Sequence, residues 1–376
     1  MFLYIVIFLL FACLSFLEYI GFNTRLKNSL RSIAIIICFF ILWSLSTVKW
    51  KTGTDWDSYY DVFYYFSDIY RGYFEPGFLI IVSTIRSFTS NYTIYLGIFS
   101  FLCLALKFSF FVRYHKETIF TIILLFYCYY FGDIFAVRQN LAISITLVST
   151  GFIIKKRPIL FAISVGLASS IHFTSILYIL AYFIYWSHLK DRTIYILTGI
   201  SILFGLLGGG EKLLSLILQV IGINGYAGEK INQYLNASGT DTINTNNNPL
   251  LIYILGLIKR CLFIPIFFWI KNRCYQNSSN IKGYLNLYMF GNIIYFLFAK
   301  DLSIFARASV PFLFFEIFLI CFTLSYFKFA PKNFILIFLI IMVVSASRFN
   351  ALINSYYNLY VPYNSIFDNR INRVLE

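Results

Sequence analysis

The sequence predicts an all-α, polytopic helical membrane protein, and three observations predict it. Of 376 residues, 60% are hydrophobic and only 12% charged, with a mean hydropathy of +0.76, far outside the composition of a soluble domain. Apolar runs recur along the whole chain between short polar loops, whereas a closed barrel would show alternating segments of about ten residues. Most Lys and Arg residues sit in those short loops, so the net charge of +14 reads as an orientation signal and not as affinity for nucleic acid. The bilayer is the expected partner.

The basic loops are 21–32, 113–117, 155–158, 187–192, 271–282 and 327–332, and all six are placed on the cytoplasmic side. The first apolar run is followed by Glu18 and then by Arg25, Lys27 and Arg31, without a charged leader or a small-residue cleavage site. It reads as a span and not as a signal peptide. Alternation across the loops then puts spans near 2–20, 33–49, 94–112, 118–131, 137–154, 159–171, 173–187, 193–208, 250–270, 283–299, 304–326 and 333–347, about twelve in all, with both ends outside. The run from Phe78 to Phe88 is left over, because counting it would put Lys155, Lys156 and Arg157 outside. It is also too short to cross, so it is read as a re-entrant or interfacial helix that starts after Pro76. Segments 159–171 and 173–187 are short for spans too: either a hairpin with His172 near its outer tip, or one long broken helix. The seven cysteines suggest no disulfide framework. No internal repeat or soluble domain is visible, and 1–376 is read as a single integral membrane domain. Its long outer segments are 49–77, 209–249 and the tail after Arg348, and such loops are usually functional or disordered.

The chemistry-bearing residues gather on the outer side. FGDIFAVRQNLAISITLVSTGFIIKKRP carries Arg138 and Gln139 into the opening turns of an apolar helix. A guanidinium in hydrocarbon costs roughly 2.5–3.5 kcal/mol on insertion scales, which makes Arg138 a functional candidate, the alternative being that it snorkels to the headgroups. A helix start favours anions, and Arg307 occupies the matching place in KDLSIFARASVPF. Two such arginines suggest a clamp for a diphosphate, against separate snorkelling arginines or an Arg307–Asp301 ion pair. Loop 49–77 sets Asp55, Asp57, Asp61, Asp68 and Glu75 among aromatic rings, a mixture that suits sugars but also suits an interfacial aromatic belt. Asp55 and Asp57 have a D-x-D spacing that could take a divalent ion, though a lone D-x-D is common. His172 reads as a structural hydrogen-bonder, a base or an orienting group. Glu316 reads as a buried partner for another helix, with a proton relay as the other option. HExxH, GxSxG, Walker and GxGxxG motifs are absent, so a substrate at the outer face has to arrive already activated.

The motifs GTDW with Tyr59 after it, EPGF at Glu75 to Phe78, RQNLA at Arg138 to Ala142, IHFTS around His172 and the arginine of FARAS at Arg307 span most of the chain. In these the chain resembles the EpsG-type family of O-antigen and exopolysaccharide polymerases, the Wzy class. It departs from the family before GTDW, where arginine is common and this chain has Lys49 and Lys51. The resemblance implies a bacterial inner-membrane glycosyltransferase that faces the periplasm and uses neither metal nor other cofactor. It would move a growing glycan from undecaprenyl pyrophosphate onto a lipid-linked repeat unit in lipopolysaccharide or exopolysaccharide biosynthesis, with a chain-length regulator protein as a further partner. Together with the residue reading it assigns Arg138 and Arg307 to the pyrophosphate and Asp55 to the general base, with Glu75 as runner-up. Gln139 and His172 would orient, and Lys51 and Tyr59 would contact substrate. The rival readings are an O-antigen ligase, a membrane acyltransferase built on His172, and a transporter.

Overall fold

The computed structural model describes residues 1–20, 25–65, 74–135, 138–221, 228–229, 231–232, 249–274, 278–300 and 302–368. Their regular elements are helical, apart from one isolated antiparallel bridge between Lys49 and Ser365. In chain order the main helices are α1 (Phe2–Ile20), α2 (Arg25–Thr47), α3 (Trp56–Tyr65), α4 (Pro76–Phe88), α5 (Tyr92–Tyr114), α6 (Ile119–Tyr129), α7 (Phe131–Phe135), α8 (Arg138–Ile154) and α9 (Pro158–Ile171). They continue with α10 (Asp191–Leu206), α11 (Gly209–Ile221), α12 (Pro249–Cys261), α13 (Ile264–Cys274), α14 (Ser279–Phe298), α15 (Phe315–Phe327) and α16 (Pro331–Ser355).

Six helices among the described residues are long and apolar enough to cross a membrane, or seven if the pair α10 and α11, bent by 91°, counts as one span. The expectation of about twelve therefore holds only in part. Counting by alternation of basic loops accepts a segment of any length. Yet α6, α8 and α9 have 11, 17 and 14 residues. At 1.5 Å per residue such helices reach about 17–26 Å, short of the ~30 Å hydrocarbon core. The last span also runs further than expected: α16 continues through Arg348 to Ser355, so the tail begins later.

By contacts the chain divides into two compact units. The first comprises residues 1–152, 166–172 and 324–376. In it α1 and α16 pack on α6, and α2 packs on α5. At one end Tyr4 donates to the Tyr360 carbonyl (2.8 Å) and Tyr363 to that of Leu45 (2.8 Å). The tail lies beside residues 48–53 there, with Trp50 N–H donating to Asn364 (2.9 Å), Ile366 N–H to Val48 (2.9 Å) and Gly53 N–H to Leu359 (3.0 Å). At the other end Glu18 accepts from Arg31 (2.7 Å) and from the first amides of α6, Phe120 (3.3 Å) and Thr121 (3.1 Å). An anion at a helix start is the favourable arrangement.

The leftover run is helical, as α4. Its 13 residues start with proline in the first turn, and the Phe78 ring lies 5.9 Å from that of Phe99 on α5. Phe99 is seven residues into α5, about 10 Å along its axis, so the start of α4 packs beside the third turn of α5. A short apolar helix lying against a long one fits the re-entrant and the interfacial reading alike. It is also pressed on α9: a Cβ on Gly77 would come within 2.3 Å of Ser170 Oγ and 2.7 Å of the Ser170 carbonyl oxygen.

The second unit comprises residues 153–165 and 173–323. After the break at His172 a 3-10 helix (173–180) runs into a short α-helical segment (181–185). α10 lies so close to α14 that a Cβ on Gly205 would meet the Phe296 carbonyl oxygen at 1.9 Å, and Tyr253 donates to the carbonyls of Ile202 and Phe296, both at 3.1 Å. The amphipathic run after Gly208 is helical as α11. The Asn/Thr-rich stretch up to Asn248 lies outside the described residues. Glu316 is buried in the first turn of α15.

Candidate functional site

Within the first unit one apolar cluster joins most of the motif-bearing segments. Trp56 and Tyr59 of α3, Phe78 and Val82 of α4, Tyr92, Tyr95 and Phe99 of α5, Leu141 and Ala142 of α8, and Ala168 and Ile171 of α9 all belong to it. These residues lie in or beside GTDW, EPGF, RQNLA and the start of IHFTS, so burying them brings these four stretches of the first unit together.

Arg138 is the first residue of α8. Its Nη1 donates to Glu75 Oε2 at 2.6 Å, and its guanidinium carbon lies 4.9 Å from the centre of the Phe74 ring. The Glu75 side chain is 1% exposed and that of Arg138 20%. A buried carboxylate needs a partner, and the Arg138 guanidinium supplies it. The arginine is thus fixed by a salt bridge and a ring face while part of it stays accessible, which snorkelling alone would not require. The Arg138 backbone N–H hydrogen-bonds the phenol oxygen of Tyr59, whose pKa burial pushes up to about 12.

Asp55 is exposed at the start of α3, and its carbonyl accepts the Tyr59 N–H at 3.2 Å. Its carboxylate interacts electrostatically with Tyr59 and with Lys49. Lys49 is 2% exposed, donates to the Phe135 carbonyl and lies 5.5 Å from the Phe135 ring centre. Burial depresses its pKa to about 7, and Asp55 partly opposes this. Lys51 points outward in the left-handed backbone region, with φ 45°. Gln139 is half-buried next to Arg138. His172 is buried just past α9, with its backbone N–H on the Ala168 carbonyl (2.9 Å).

The expected partner arginine belongs to the second unit, where Arg307 is exposed in a short 3-10 turn. Asp301, its alternative partner, lies outside the described residues, as do Asp68 and Arg71 of the outer loop. Asp57 is exposed. Among the described residues no three His, Cys, Asp or Glu side chains come together as a metal site would need.

Two groups that the sequence reading passed over stand beside this site. Lys107 is completely buried in α5 and bonds to α8, and Asp133 of α7 lies within its electrostatic reach. The signal was a lone lysine inside LALKFSF, taken only as part of a span.

A family model described as the EpsG family matches residues 32–365. The chain belongs to the EpsG family. No curated protein and no solved structure matches it. Membership makes it a polysaccharide-polymerase-like membrane protein of polysaccharide biosynthesis, and the matched range contains every motif that carried the resemblance. In this EpsG-family chain GTDW, EPGF, RQNLA and the start of IHFTS up to His172 belong to one unit, and the rest of IHFTS and FARAS belong to the other.

Proposed function

We propose that this EpsG-family protein is a polysaccharide polymerase of the inner membrane. It transfers a growing glycan from undecaprenyl pyrophosphate to the end sugar of a lipid-linked repeat unit at the periplasmic face. The observation that carries this reading is Arg138, held by buried Glu75 and lying over the Phe74 ring in the first turn of α8, with its side chain 20% exposed.

The acceptor hydroxyl attacks the anomeric carbon of the donor, and the bond from that carbon to the diphosphate breaks with its electron pair leaving on the diphosphate oxygen. Negative charge grows there. Arg138 stabilises it at little reorganisation, because Glu75 and Phe74 already hold the guanidinium. Asp55, the exposed carboxylate one turn before Tyr59, takes the hydroxyl proton. Glu75, buried and engaged by Arg138, serves better as the arginine's counter-ion than as a base. Buried His172 fits an orienting role. Arg307 and Lys51 are exposed cations suited to diphosphate or lipid headgroup contacts, and a chain-length regulator is a further partner.

A deletion strain tests the reading. A single capped repeat unit on a surface-glycan gel is the outcome expected. No repeat unit at all would mean a ligase or an export protein, and unchanged length with altered mass an acyltransferase. Purified protein given lipid-linked repeat units should polymerise in EDTA without nucleotide sugar. Loss of activity restored by Mg²⁺ would make Asp55 and Asp57 metal ligands instead.

A further inference from the structure

Lys107 lies fifteen residues into α5, in the middle of a hydrophobic span, and its side chain is 0% exposed. An ionisable group at such a place marks function by default, because hydrocarbon disfavours its charge and long side chains normally reach for the surface. This lysine does neither. Its ammonium donates to Asn140 Oδ1, to the Asn140 carbonyl (3.3 Å) and to Ser144 Oγ (2.8 Å), all in the first two turns of α8.

A cation there works against the helix macrodipole, whose positive end is the N-terminus, so the contact is not explained by stabilising α8 as a helix. What it does fix is where that helix begins. Asn140 is two residues from Arg138, and α7, which comes before α8 in the chain, lies within the electrostatic reach of the same lysine and is bonded by a second one. Asp133 of α7 interacts electrostatically with Lys107 and with Tyr360, and its Oδ2 is enclosed without a hydrogen bond among the described residues. Lys49 donates to the carbonyl of Phe135, the last residue of α7, and Ser46 to that of Ile134 (2.8 Å). Two buried ammonium groups therefore bond to this region, Lys107 of α5 to the first two turns of α8 and Lys49, just past α2, to the end of α7.

We propose that Lys107 is a positioning residue for the Arg138 turn, with Asp133 as its counter-charge. It ties Asn140 and Ser144 to α5 so that the guanidinium two residues earlier stays aimed at the departing diphosphate. The proposal rests on the role given to Arg138 above, and the test separates the two.

The variant is Lys107→Gln with Asp133→Asn, which leaves neither buried charge without its partner, the situation that destabilises most. The first readout is hydrogen exchange of the purified protein in nanodiscs. Residues 138–145 should exchange faster, while residues 146–154 and the melting temperature stay as in the parent. The second is turnover in a double-mutant cycle. The paired change should lower kcat about tenfold or more in the parent but less than about twofold on top of Arg138→Lys, since it acts through that arginine. Unchanged exchange at 138–145, or the same fold loss in both backgrounds, would overturn the proposal. If the paired variant fails to fold, Ser144→Ala removes one acceptor and leaves both charges. It should speed exchange at 138–145 by about fivefold, the worth of one hydrogen bond, and no change there would likewise overturn the proposal. Full turnover by Arg138→Lys would instead remove the proposed role of Arg138, and exchange alone would then decide for Lys107.

Discussion

In the proposed mechanism Arg138 and Asp55 divide binding from chemistry, and two substitutions separate them. Arg138→Lys keeps the charge but loses the planar fork that can hold Glu75 and an anion together. Turnover should fall about a hundredfold, the usual effect of losing one transition-state donor of 2.7–4 kcal/mol. Asp55→Asn keeps the size but cannot take a proton, so the variant should bind lipid-linked donor and make no polymer. Glycan length at matched protein level and donor binding in nanodiscs check both. Lys49 gives a pH signature. Its folded pKa of about 7 lies below the ordinary 10.5, so between those values the unfolded chain holds the extra proton and stability rises with pH. Below that window both states are protonated and the penalty is constant. Melting temperatures from pH 7 to 10 should therefore climb in the parent relative to Lys49→Met. Parallel curves would mean that Lys49 does not titrate there.

Among the elements, α4 depends on the close approach of Gly77 to α9. Gly77→Ala would press a methyl group on the Ser170 carbonyl, backbone that cannot move aside, and push Glu75 away from Arg138. It should lower the melting temperature and turnover together. Gly166→Ala on the same α9 meets open space, so it should leave turnover unchanged and add up to about 1 kcal/mol through helix propensity. A Gly77→Ala variant as active and stable as Gly166→Ala would rule out the tight contact. Residue spacing made α4 legible, because Pro76 and a run too short to cross stand out in any sequence. Its packing was not legible, since the sequence does not say which turn of α5 Phe78 meets.

For the molecule as a whole, the first unit keeps the order that basic loops imply: the N-terminus, residues 48–53 and the tail share one end, and Glu18, Arg31 and Lys116 share the other. The proposed compartments rest on the positive-inside rule. In a cysteine-free background, Ser58→Cys should react with an impermeant maleimide in intact cells, and Lys156→Cys only after permeabilisation. The reverse pattern would invert the proposed topology and move Asp55 to the cytoplasm.

The sequence by itself determined the class of the protein, because hydrophobic run length and loop charge are set residue by residue and need no partner. It also determined the candidate residues: an arginine in an apolar helix and carboxylates in an aromatic loop are anomalies against the membrane background. Tertiary structure alone decided which residues meet. Glu75 and Arg138 are 63 residues apart in the chain, and Lys107 reaches Asn140 across 33. The tail grips residues 48–53 across more than 300. Each of these pairings depends on how helices pack, and a hydropathy pattern specifies only which face is apolar. A buried charge has to find its partner inside the fold, so the partner becomes visible only once the helices are in place.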